Sequence, residues 1–290
     1  MKDKIYILLP VHNRRAVTER FVDCLAEQTY TNYQLILIDD GSTDSTDEMV
    51  RGKIRNVTVL KGKGDWWWAG SLQQGINCLE QRAIADREIV LFANDDITFE
   101  KTFLQQAVSI LDGLTESLLL PHLRDERTGR PEESGVEADL RRLTFRPAES
   151  PGKINCLSTR GLFVRMADLR RIGGFRPRLL PHYWSDYEFT IRAHRKGLRL
   201  CTSADIAISL DRSQTGYRSF EKSGFVAFLK KYFSKKSVLN PVYHTVFVLL
   251  VNPVSVMPAN IFWIWRNAAM LVLAKFRHAL QILKGEVKGR

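Results

Sequence analysis

The chain has 290 residues, of which 44% are hydrophobic and 26% are charged, and this composition is typical of a folded globular protein. The length allows one large domain, or one domain with an appendage. The four cysteines lie far apart and form no CxxC or Cys/His pattern, which argues against a cysteine-bound metal and for reduced thiols in a cytosolic setting. No long apolar core with a small-residue cleavage site follows Met1, so we expect no signal peptide.

The net charge of +11 is concentrated in the last quarter of the chain. Residues 217–290 contain twelve lysines and arginines against two acids, Glu221 and Glu286, and so carry +10 of it. A basic tail on a nearly neutral body indicates an anionic partner, either anionic lipid or nucleic acid. We favour lipid and exclude nucleic acid, because the tail is also strongly apolar and contains no recognisable DNA- or RNA-binding module.

The first 114 residues alternate between predicted strands and predicted helices. This alternation predicts parallel βαβ units, and the continuous apolar runs suit a sheet covered on both faces. Ligands of such sheets bind beyond the carboxyl ends of the strands, where the polar clusters of this sequence lie. Apolar runs predict strands that begin near residues 4, 33, 56 and 88, and helical spacing predicts helices within 15–30, 44–51, 69–83 and 99–114.

The periodic pattern is lost between about Leu120 and Asn155, where a polar stretch rich in glycine and proline predicts a surface hairpin or loop. Order returns in 156–175, and a further helix is predicted within 185–197.

Several motifs occur in an order that resembles one known family, the GT-A-fold, family-2 inverting glycosyltransferases. They are LPVHNR (9–14), TYTNYQLILIDDGSTDST (29–46), GDWWWAGSLQQGI (64–76), NDD (94–96), GLFVRMADLRRIGGF (161–175) and WSDYEFTIRAHRKGLRL (184–200). The third is similar to the branch that includes bacterial rhamnosyltransferases. The resemblance covers roughly residues 4–212.

The resemblance implies an α/β fold of the GT-A (Rossmann-like) type, a mostly parallel sheet flanked by helices. We expect a catalytic domain at 1–216, with a nucleotide-binding half at about 1–120 and an acceptor half at about 121–216. Residues 217–290 would then form a basic and apolar helical tail that associates with a membrane or an oligomer partner.

Two adjacent acids, Asp95 and Asp96, follow a buried strand, where each costs solvation energy unless something compensates it. A divalent cation, Mn²⁺ or Mg²⁺, would compensate them and neutralise the diphosphate of a nucleotide-sugar. The resemblance makes Asp96 the metal ligand and directs Asp95, next to Asn94, toward the ribose or the metal's waters. The alternative is a helix N-cap for the segment that follows.

The donor pocket is expected at the other strand ends. The resemblance assigns Asp40 to the nucleotide base and places Pro10, His12 and Asn13 along the other side of the nucleotide. A capping turn is the alternative for Asp39 and Asp40.

Three consecutive tryptophans, residues 66–68, precede a helix. Trp67 is a candidate for stacking on the donor, while at least one of the three is expected to be buried structure. Gly70 would permit close backbone approach to the donor.

Attack by an acceptor hydroxyl needs a base. The segment HYWSDYEF offers Asp186 and Glu188, and the resemblance makes Asp186 the general base, with a helix cap as the alternative. Glu188, two residues further on, would point to another face of the helix.

Residues 242–265 contain no Lys, Arg, Asp or Glu, a length that could span a bilayer. Asn252 and Pro253 interrupt the run, and basic residues flank both ends, so we favour helices lying in the cytoplasmic interface of an anionic membrane. The alternative is a helical pair packed on the catalytic domain or in a homo-oligomer interface.

Together these features predict a metal-dependent inverting glycosyltransferase that is cytoplasmic and peripheral on the inner face of the plasma membrane. It would move a sugar from a dTDP- or UDP-sugar, with rhamnose favoured by the branch resemblance, to a glycan acceptor that is lipid-linked, in cell-surface polysaccharide synthesis. The alternative is a non-catalytic nucleotide-sugar-binding or scaffold protein that retains the fold.

Overall fold

The computed structural model describes residues 3–130, 135–210 and 224–288, with side chains described as far as residue 281. The predicted boundary at residues 216 and 217 lies outside this part of the chain. The strands are β1 (Ile5–Val11), β2 (Tyr33–Asp39), β3 (Val57–Lys61), β4 (Ile89–Phe92), β5 (Ile97–Phe99), β6 (Ser117–Asp125), β7 (Val136–Asp139), β8 (Thr144–Pro147), β9 (Leu162–Arg165) and β10 (Arg199–Leu210). The helices are α1 (Arg15–Ala26), α2 (Thr46–Lys53), α3 (Trp67–Gln81), α4 (Phe103–Asp112), α5 (Met166–Ile172), α6 (Ser185–Arg195), α7 (Phe225–Tyr232), α8 (Pro241–Val251) and α9 (Met257–Lys288).

Eight strands form one sheet in the order β3-β2-β1-β4-β9-β6-β10-β5. The neighbours β3, β2, β1 and β4 are parallel, β9 runs antiparallel between β4 and β6, and β5 pairs antiparallel with β10. Strand β4 is buried along its whole length, and β1 nearly so, as expected when helices cover both faces of a sheet. The predicted mostly parallel, Rossmann-like sheet is confirmed.

The structure corrects the prediction for the segment after Asp96. A short strand, β5, comes first and pairs with β10, and helix α4 begins only at Phe103. The interpretation of Asp95 and Asp96 as an N-cap is therefore wrong. The sequence ITFEKTF was ambiguous because its β-branched and aromatic residues fit an edge strand as well as a helix.

A second correction concerns the region from 120 to 155, which was expected to be a loop or hairpin. Strand β6 continues through it to Asp125, between β9 and β10 in the sheet. The predicted hairpin is present further on, where β7 and β8 pair antiparallel.

A cluster of three phenylalanines packs the end of β4 against the segment that leads into α6. Phe175 stacks on Phe189 with ring centroids 4.7 Å apart, and Phe92 meets both rings edge-on at 5.5 and 5.6 Å. All three side chains are buried. Aromatic pairs of this geometry stabilise beyond the area they bury, so the cluster fixes α6 against the sheet.

The apolar run of the tail is divided at Asn252 and Pro253, as predicted. Helix α8 precedes the break and packs on the body of the protein, where Phe247 and Val251 are buried with Leu180 and Ile191. The amide of Asn252 donates to the carbonyl of Leu140 at 2.6 Å and closes the break onto the β7–β8 hairpin.

Helix α9 follows the break and leaves much of its apolar surface exposed. Phe262 is 69% exposed and Met270 is 61% exposed. Over Val254–Gln281 it is long and apolar enough to cross a membrane by length and composition alone, and 17% of its most apolar window is buried. The two interpretations of the tail thus apply to different helices: α8 packs on the body, and α9 presents an open apolar face.

We expect Phe189→Ala to lower the free energy of unfolding by about 3–5 kcal/mol, because it removes a buried ring and leaves a cavity between β4 and α6. Urea denaturation followed by tryptophan fluorescence measures the change. Phe262→Ala, at an exposed position, should change it by less than about 0.5 kcal/mol. Equal effects of the two substitutions would contradict the role given to the phenylalanine cluster.

Candidate active site

The predicted polar clusters meet at one edge of the sheet. Strand β1 pairs in parallel with β2 on one side and with β4 on the other, so their carboxyl ends lie together. The register places Val11 opposite Asp39, and Leu8 opposite Phe92. The loops that carry His12, Asp40 and Asp96 therefore leave neighbouring strands at the same edge.

Asp95 is held inside the protein by helix α1 and the residue that precedes it. Arg14 donates through Nε to Asp95 Oδ2 at 2.7 Å, and Thr18 Oγ1 donates to the same oxygen at 3.2 Å. Burial raises the pKa of Asp95, and the Arg14 guanidinium opposes this shift. Asp95 thereby fixes a guanidinium at the strand edge, a role that was not foreseen from the sequence.

Asp96 presents a buried carboxylate oxygen to the same region. Its Oδ1 has no hydrogen-bond partner among the described residues, and its Oδ2 lies 3.9 Å from Arg14 Nη2. An uncompensated buried carboxylate is costly, and a bound cation would remove that cost.

The protein offers few other ligands at this point. Within the described residues no group of three or more His, Cys, Asp or Glu side chains could hold a metal. Mg²⁺ and Mn²⁺ accept one or two carboxylates and take phosphate oxygens and waters for the rest. The residues present fit a cation that is completed by a phosphate-bearing ligand.

Asp40 braces the loop that leads into α3. Its carboxylate accepts backbone N–H groups from Gly64 at 2.8 Å, Trp66 at 2.9 Å and Trp67 at 3.2 Å. At Gly62 a Cβ would lie 2.4 Å from Asp40 Oδ1, so this close approach requires glycine. Asp40 thus has a structural function whatever it contacts in a ligand.

Asp39 accepts the N–H of Ser42 at 2.8 Å and closes the turn after β2. The expectation that one of these two acids is structural fits this geometry.

The residues after β1 tie its end to the end of β2. His12 Nδ1 lies 2.7 Å from the carbonyl oxygen of Asp40, and Asn13 Oδ1 accepts the N–H of Thr43 at 2.8 Å. His12 and Asn13 are exposed at this edge, and Pro10 is half-buried in β1. The side chain of His12 also lies near Gly64, where a Cβ would be 3.7 Å from His12 Cε1.

All three tryptophans are half-buried, and the expected structural role is seen for two of them. Trp66 and Trp68 are partly buried and pack against the main core. Trp67 adopts a φ of 60°, a conformation that is rare for a bulky residue. At Gly70 a Cβ would lie 3.3 Å from the Cβ of Trp66 and 3.6 Å from that of Pro177, so the close approach seen here is to protein.

Asp186 lies in the first turn of α6 and is partly exposed. Burial of the carboxyl raises its pKa, while the backbone N–H of Tyr187 and the charge of Arg160 act in the opposite direction. Glu188 points elsewhere, as predicted: it is buried and pairs with Arg192 at 2.8 Å and Arg176 at 3.4 Å.

Arg160 connects the two halves of the edge. The N–H of Gly161 donates to the carbonyl of Phe92 at 2.9 Å, which sets Arg160 beside the segment that follows β4. Its Nε and the Oδ1 of Asn94 are buried without a hydrogen-bond partner in the described part of the chain. Arg160 therefore lies near both the Asn94–Asp96 segment and the Asp186 carboxylate, and we call the region between these groups the polar crevice. The unpartnered Arg160 Nε and Asn94 Oδ1 are groups that a polar ligand would satisfy.

An open, mostly parallel α/β sheet with carboxylates and guanidinium groups at the carboxyl ends of its strands is typical of Rossmann-like proteins, which bind their ligands at those strand ends. Residues 6–170, more than half of the chain, match the model of the family described as glycosyl transferase family 2, and the chain belongs to that family.

Two relatives are similar in sequence. The amylovoran biosynthesis glycosyltransferase AmsB of Erwinia amylovora is 29% identical over 122 residues, which cover 39% of this chain and 38% of that protein. The glycosyltransferase AglE of Haloferax volcanii is 24% identical over 204 residues, or 70% of this chain and 65% of AglE. The matches span less than two thirds of either relative.

Solved structures show the same fold at low identity. TarS residues 1–349 of S. aureus superpose with a TM-score of 0.60 at 20% identity, over 95% of this chain and 91% of that one. The mannosyltransferase PcManGT of Pyrobaculum calidifontis, solved with GDP-Man and Mn²⁺, gives 0.57 at 16% identity, over 97% and 81%. TarS has also been solved with UDP-GlcNAc. These likenesses confirm the GT-A fold.

Proposed function

We propose that this protein is a metal-dependent inverting glycosyltransferase that uses a nucleoside-diphosphate sugar. The observation that carries the proposal is the buried, unsatisfied Oδ1 of Asp96 at the end of β4, across Arg160 from Asp186. A cation site and a proton acceptor on one crevice are the two parts that sugar transfer from a diphosphate requires.

Asp96 would hold Mn²⁺ or Mg²⁺, and Arg14 would add a second positive group that Asp95 keeps in place. The metal would neutralise the charge that develops on the departing nucleoside diphosphate. Neighbouring structures that contain Mn²⁺ with a nucleotide or nucleotide-sugar support this assignment by analogy.

Asp186 would act as the general base. The acceptor hydroxyl gives its proton to the carboxylate, its oxygen attacks the anomeric carbon in line, and the nucleoside diphosphate leaves from the opposite side. The charge of Arg160 lowers the pKa of this carboxyl and so opposes the effect of burial, which raises it. Arg160 therefore assists as a positioning residue.

The donor pocket would be formed by Pro10, His12, Asn13 and Asp40, with Gly70, Asn94 and Asp95 completing it. Trp67 would border the pocket through its backbone, because Lys235 and Lys236 lie over its ring. The donor is a dTDP- or UDP-sugar in this proposal, with rhamnose as the favoured sugar. A TarS structure with UDP-GlcNAc supports a uridine nucleotide, and the tryptophan motif supports the deoxy-sugar.

The acceptor in this proposal is a lipid-linked glycan for cell-surface polysaccharide, and AmsB, an amylovoran biosynthesis enzyme, supports that class. Residues 217–290 would then serve as a membrane-associating tail on a catalytic domain of 1–216, at the inner face of the plasma membrane. The open apolar face of α9 and the basic residues around it, among them Arg266, Lys275 and Arg277, support an anionic bilayer as its partner.

The alternative is a non-catalytic protein that binds a nucleotide-sugar on the same fold. Binding experiments alone do not separate it from an enzyme, so the test of Asp186 below decides between them.

For the metal, we expect UDP with Mn²⁺ to raise the melting temperature of the wild type by roughly 5–10 °C at about one hundred times the Kd, and by less without Mn²⁺. Asp96→Asn should keep the metal-free shift and lose the added effect of Mn²⁺, because a neutral amide is a poor ligand. Asp112→Asn, an exposed acid that pairs with Arg165 at the other edge of the sheet, is the control. An undiminished Mn²⁺ effect in Asp96→Asn would remove the metal assignment.

For the base, we expect Asp186→Asn to lower turnover of the nucleotide-sugar by about 10²- to 10⁴-fold while the UDP and Mn²⁺ thermal shift persists. Release of nucleoside diphosphate in the presence of extracted acceptor lipids measures turnover. Because burial raises the pKa of Asp186, kcat/KM should rise with pH through a value above that of an ordinary aspartate. Wild-type turnover in Asp186→Asn would remove the assignment of the base, whereas a wild-type protein that binds UDP with Mn²⁺ and turns over no donor would favour the non-catalytic alternative.

For the tail, we expect the protein to sediment with phosphatidylglycerol vesicles and much less with phosphatidylcholine vesicles. Phe262→Ser with Met270→Ser should weaken this binding about ten-fold or more, since each side chain contributes about 1.5–3 kcal/mol when buried. Leu179→Ser, at an exposed apolar residue on the body, is the control. Dimerisation through α9, with no vesicle binding, would instead identify an oligomer interface.

A further inference from the structure

The loop between α7 and α8, residues 233–240, is built onto the body of the protein. We call it the lysine loop, because it carries Lys235 and Lys236. Trp184, next to the start of α6, donates through Nε1 to the carbonyl of Val238 at 3.2 Å. Asn240 Nδ2 donates to the carbonyl of Ser234 at 3.1 Å and closes the loop on itself. The tail thereby reaches the segment that leads into Asp186.

Both lysines of this loop lie over the ring of Trp67. Lys235 Nζ is 5.3 Å and Lys236 Nζ is 5.6 Å from the ring centroid. Within the described residues, neither ammonium has a carboxylate within 4.0 Å. Two like charges next to one ring repel each other, and an anion bound to both would turn this repulsion into attraction.

His182 adds a third polar group beside Lys236. Its Nδ1 is buried and has no hydrogen-bond partner in the described part of the chain. Burial, and then the nearby charge of Lys236, lowers the pKa of His182 to about 4, so the ring is neutral near pH 7. A neutral imidazole that carries its proton on Nδ1 can donate one hydrogen bond to an anion.

The backbone places these groups together, next to the segment that leads into Asp186. The N–H of Ala69 donates to the carbonyl of Pro181 at 3.0 Å, which joins the start of α3 to the segment before α6. His182 stands four residues before Asp186, the proposed base. Arg14 and Asp96, which would serve the donor diphosphate, belong instead to the ends of β1 and β4.

We propose that Lys235, Lys236 and His182 form a subsite, beside Trp67, that binds the phosphate groups of the acceptor. The subsite rests on the proposed function and specifies it: the acceptor is a phosphate- or diphosphate-linked glycan. Two ammonium groups match the charge of a phosphate ester through charge-assisted hydrogen bonds. The same tail carries the apolar face of α9, so a lipid diphosphate could place its phosphates at the subsite and its hydrocarbon chain against α9.

Farnesyl diphosphate is the probe, with farnesol as its uncharged counterpart, and binding is measured by calorimetry without vesicles. Lys235→Ala with Lys236→Ala should weaken farnesyl diphosphate binding about ten-fold or more and change the Kd of UDP with Mn²⁺ less than two-fold. Lys230→Ala with Lys231→Ala removes the same charge from α7 and should leave both constants within two-fold.

Several results would overturn the subsite. If Lys235→Ala with Lys236→Ala weakened UDP binding as much as farnesyl diphosphate binding, the lysines would belong to the donor site. If the two lysine pairs had equal effects, farnesyl diphosphate binding would depend on overall charge alone. Farnesol binding as tightly as the diphosphate would exclude phosphate recognition. Loss of binding to phosphatidylglycerol vesicles by the loop pair alone, with farnesyl diphosphate binding unchanged, would assign the lysines to membrane headgroups. In all of these cases the proposed function stands as long as the wild-type protein binds UDP. A wild-type protein that binds no UDP contradicts that function itself.

Discussion

The carboxylates that follow β4 set the constraint on which the rest of the site depends. The carboxylate of Asp95 pairs with Arg14 and accepts a hydrogen bond from Thr18 inside the protein. Asp96 lies 3.9 Å from the same guanidinium. The two adjacent acids thus differ: the carboxylate of Asp95 is structurally satisfied, and Asp96 Oδ1 has no hydrogen-bond partner among the described residues, which is where we propose a cation. The division depends on parallel pairing of β1 with β4, which brings Arg14 to the end of the neighbouring strand.

Strand direction and core packing also bring Arg160 and Asp186 to the carboxyl end of β4. Strand β9 runs antiparallel to β4, so the loop before it returns to the carboxyl end of β4 and delivers Arg160 there. The phenylalanine cluster then fixes α6, and with it Asp186, against the last residue of β4. Sequence-distant groups meet here because strand direction and core packing leave them little freedom, and the crevice needs no long flexible segment to be assembled.

Much of this was predictable from local patterns. The strands β1 to β4, the helices α1 to α4 and α6, and the position of the acids at strand ends follow from apolar runs and from the turn residues that terminate them. The start of α4 was not predictable, because the pairing of β5 with β10 overrides the local preference of Ile97–Phe99. The salt bridge from Arg14 to Asp95 crosses 81 positions and leaves no local signal. The position of the lysine loop over Trp67 likewise depends on tertiary packing. The net charge of the sequence indicated only that the tail is basic.

The tail is anchored to the body of the protein at both ends of α8. Trp184 holds the lysine loop before the helix, and Asn252 ties its end to the β7–β8 hairpin, so α8 cannot turn independently of the body. Helix α9 starts from that fixed point, and the amide of Asn260 contacts the carbonyls of Leu140 and Arg141. The first turns of the exposed apolar helix are therefore held at a set angle to the crevice. If α9 lies in a bilayer surface, the body of the protein therefore meets that surface in one orientation.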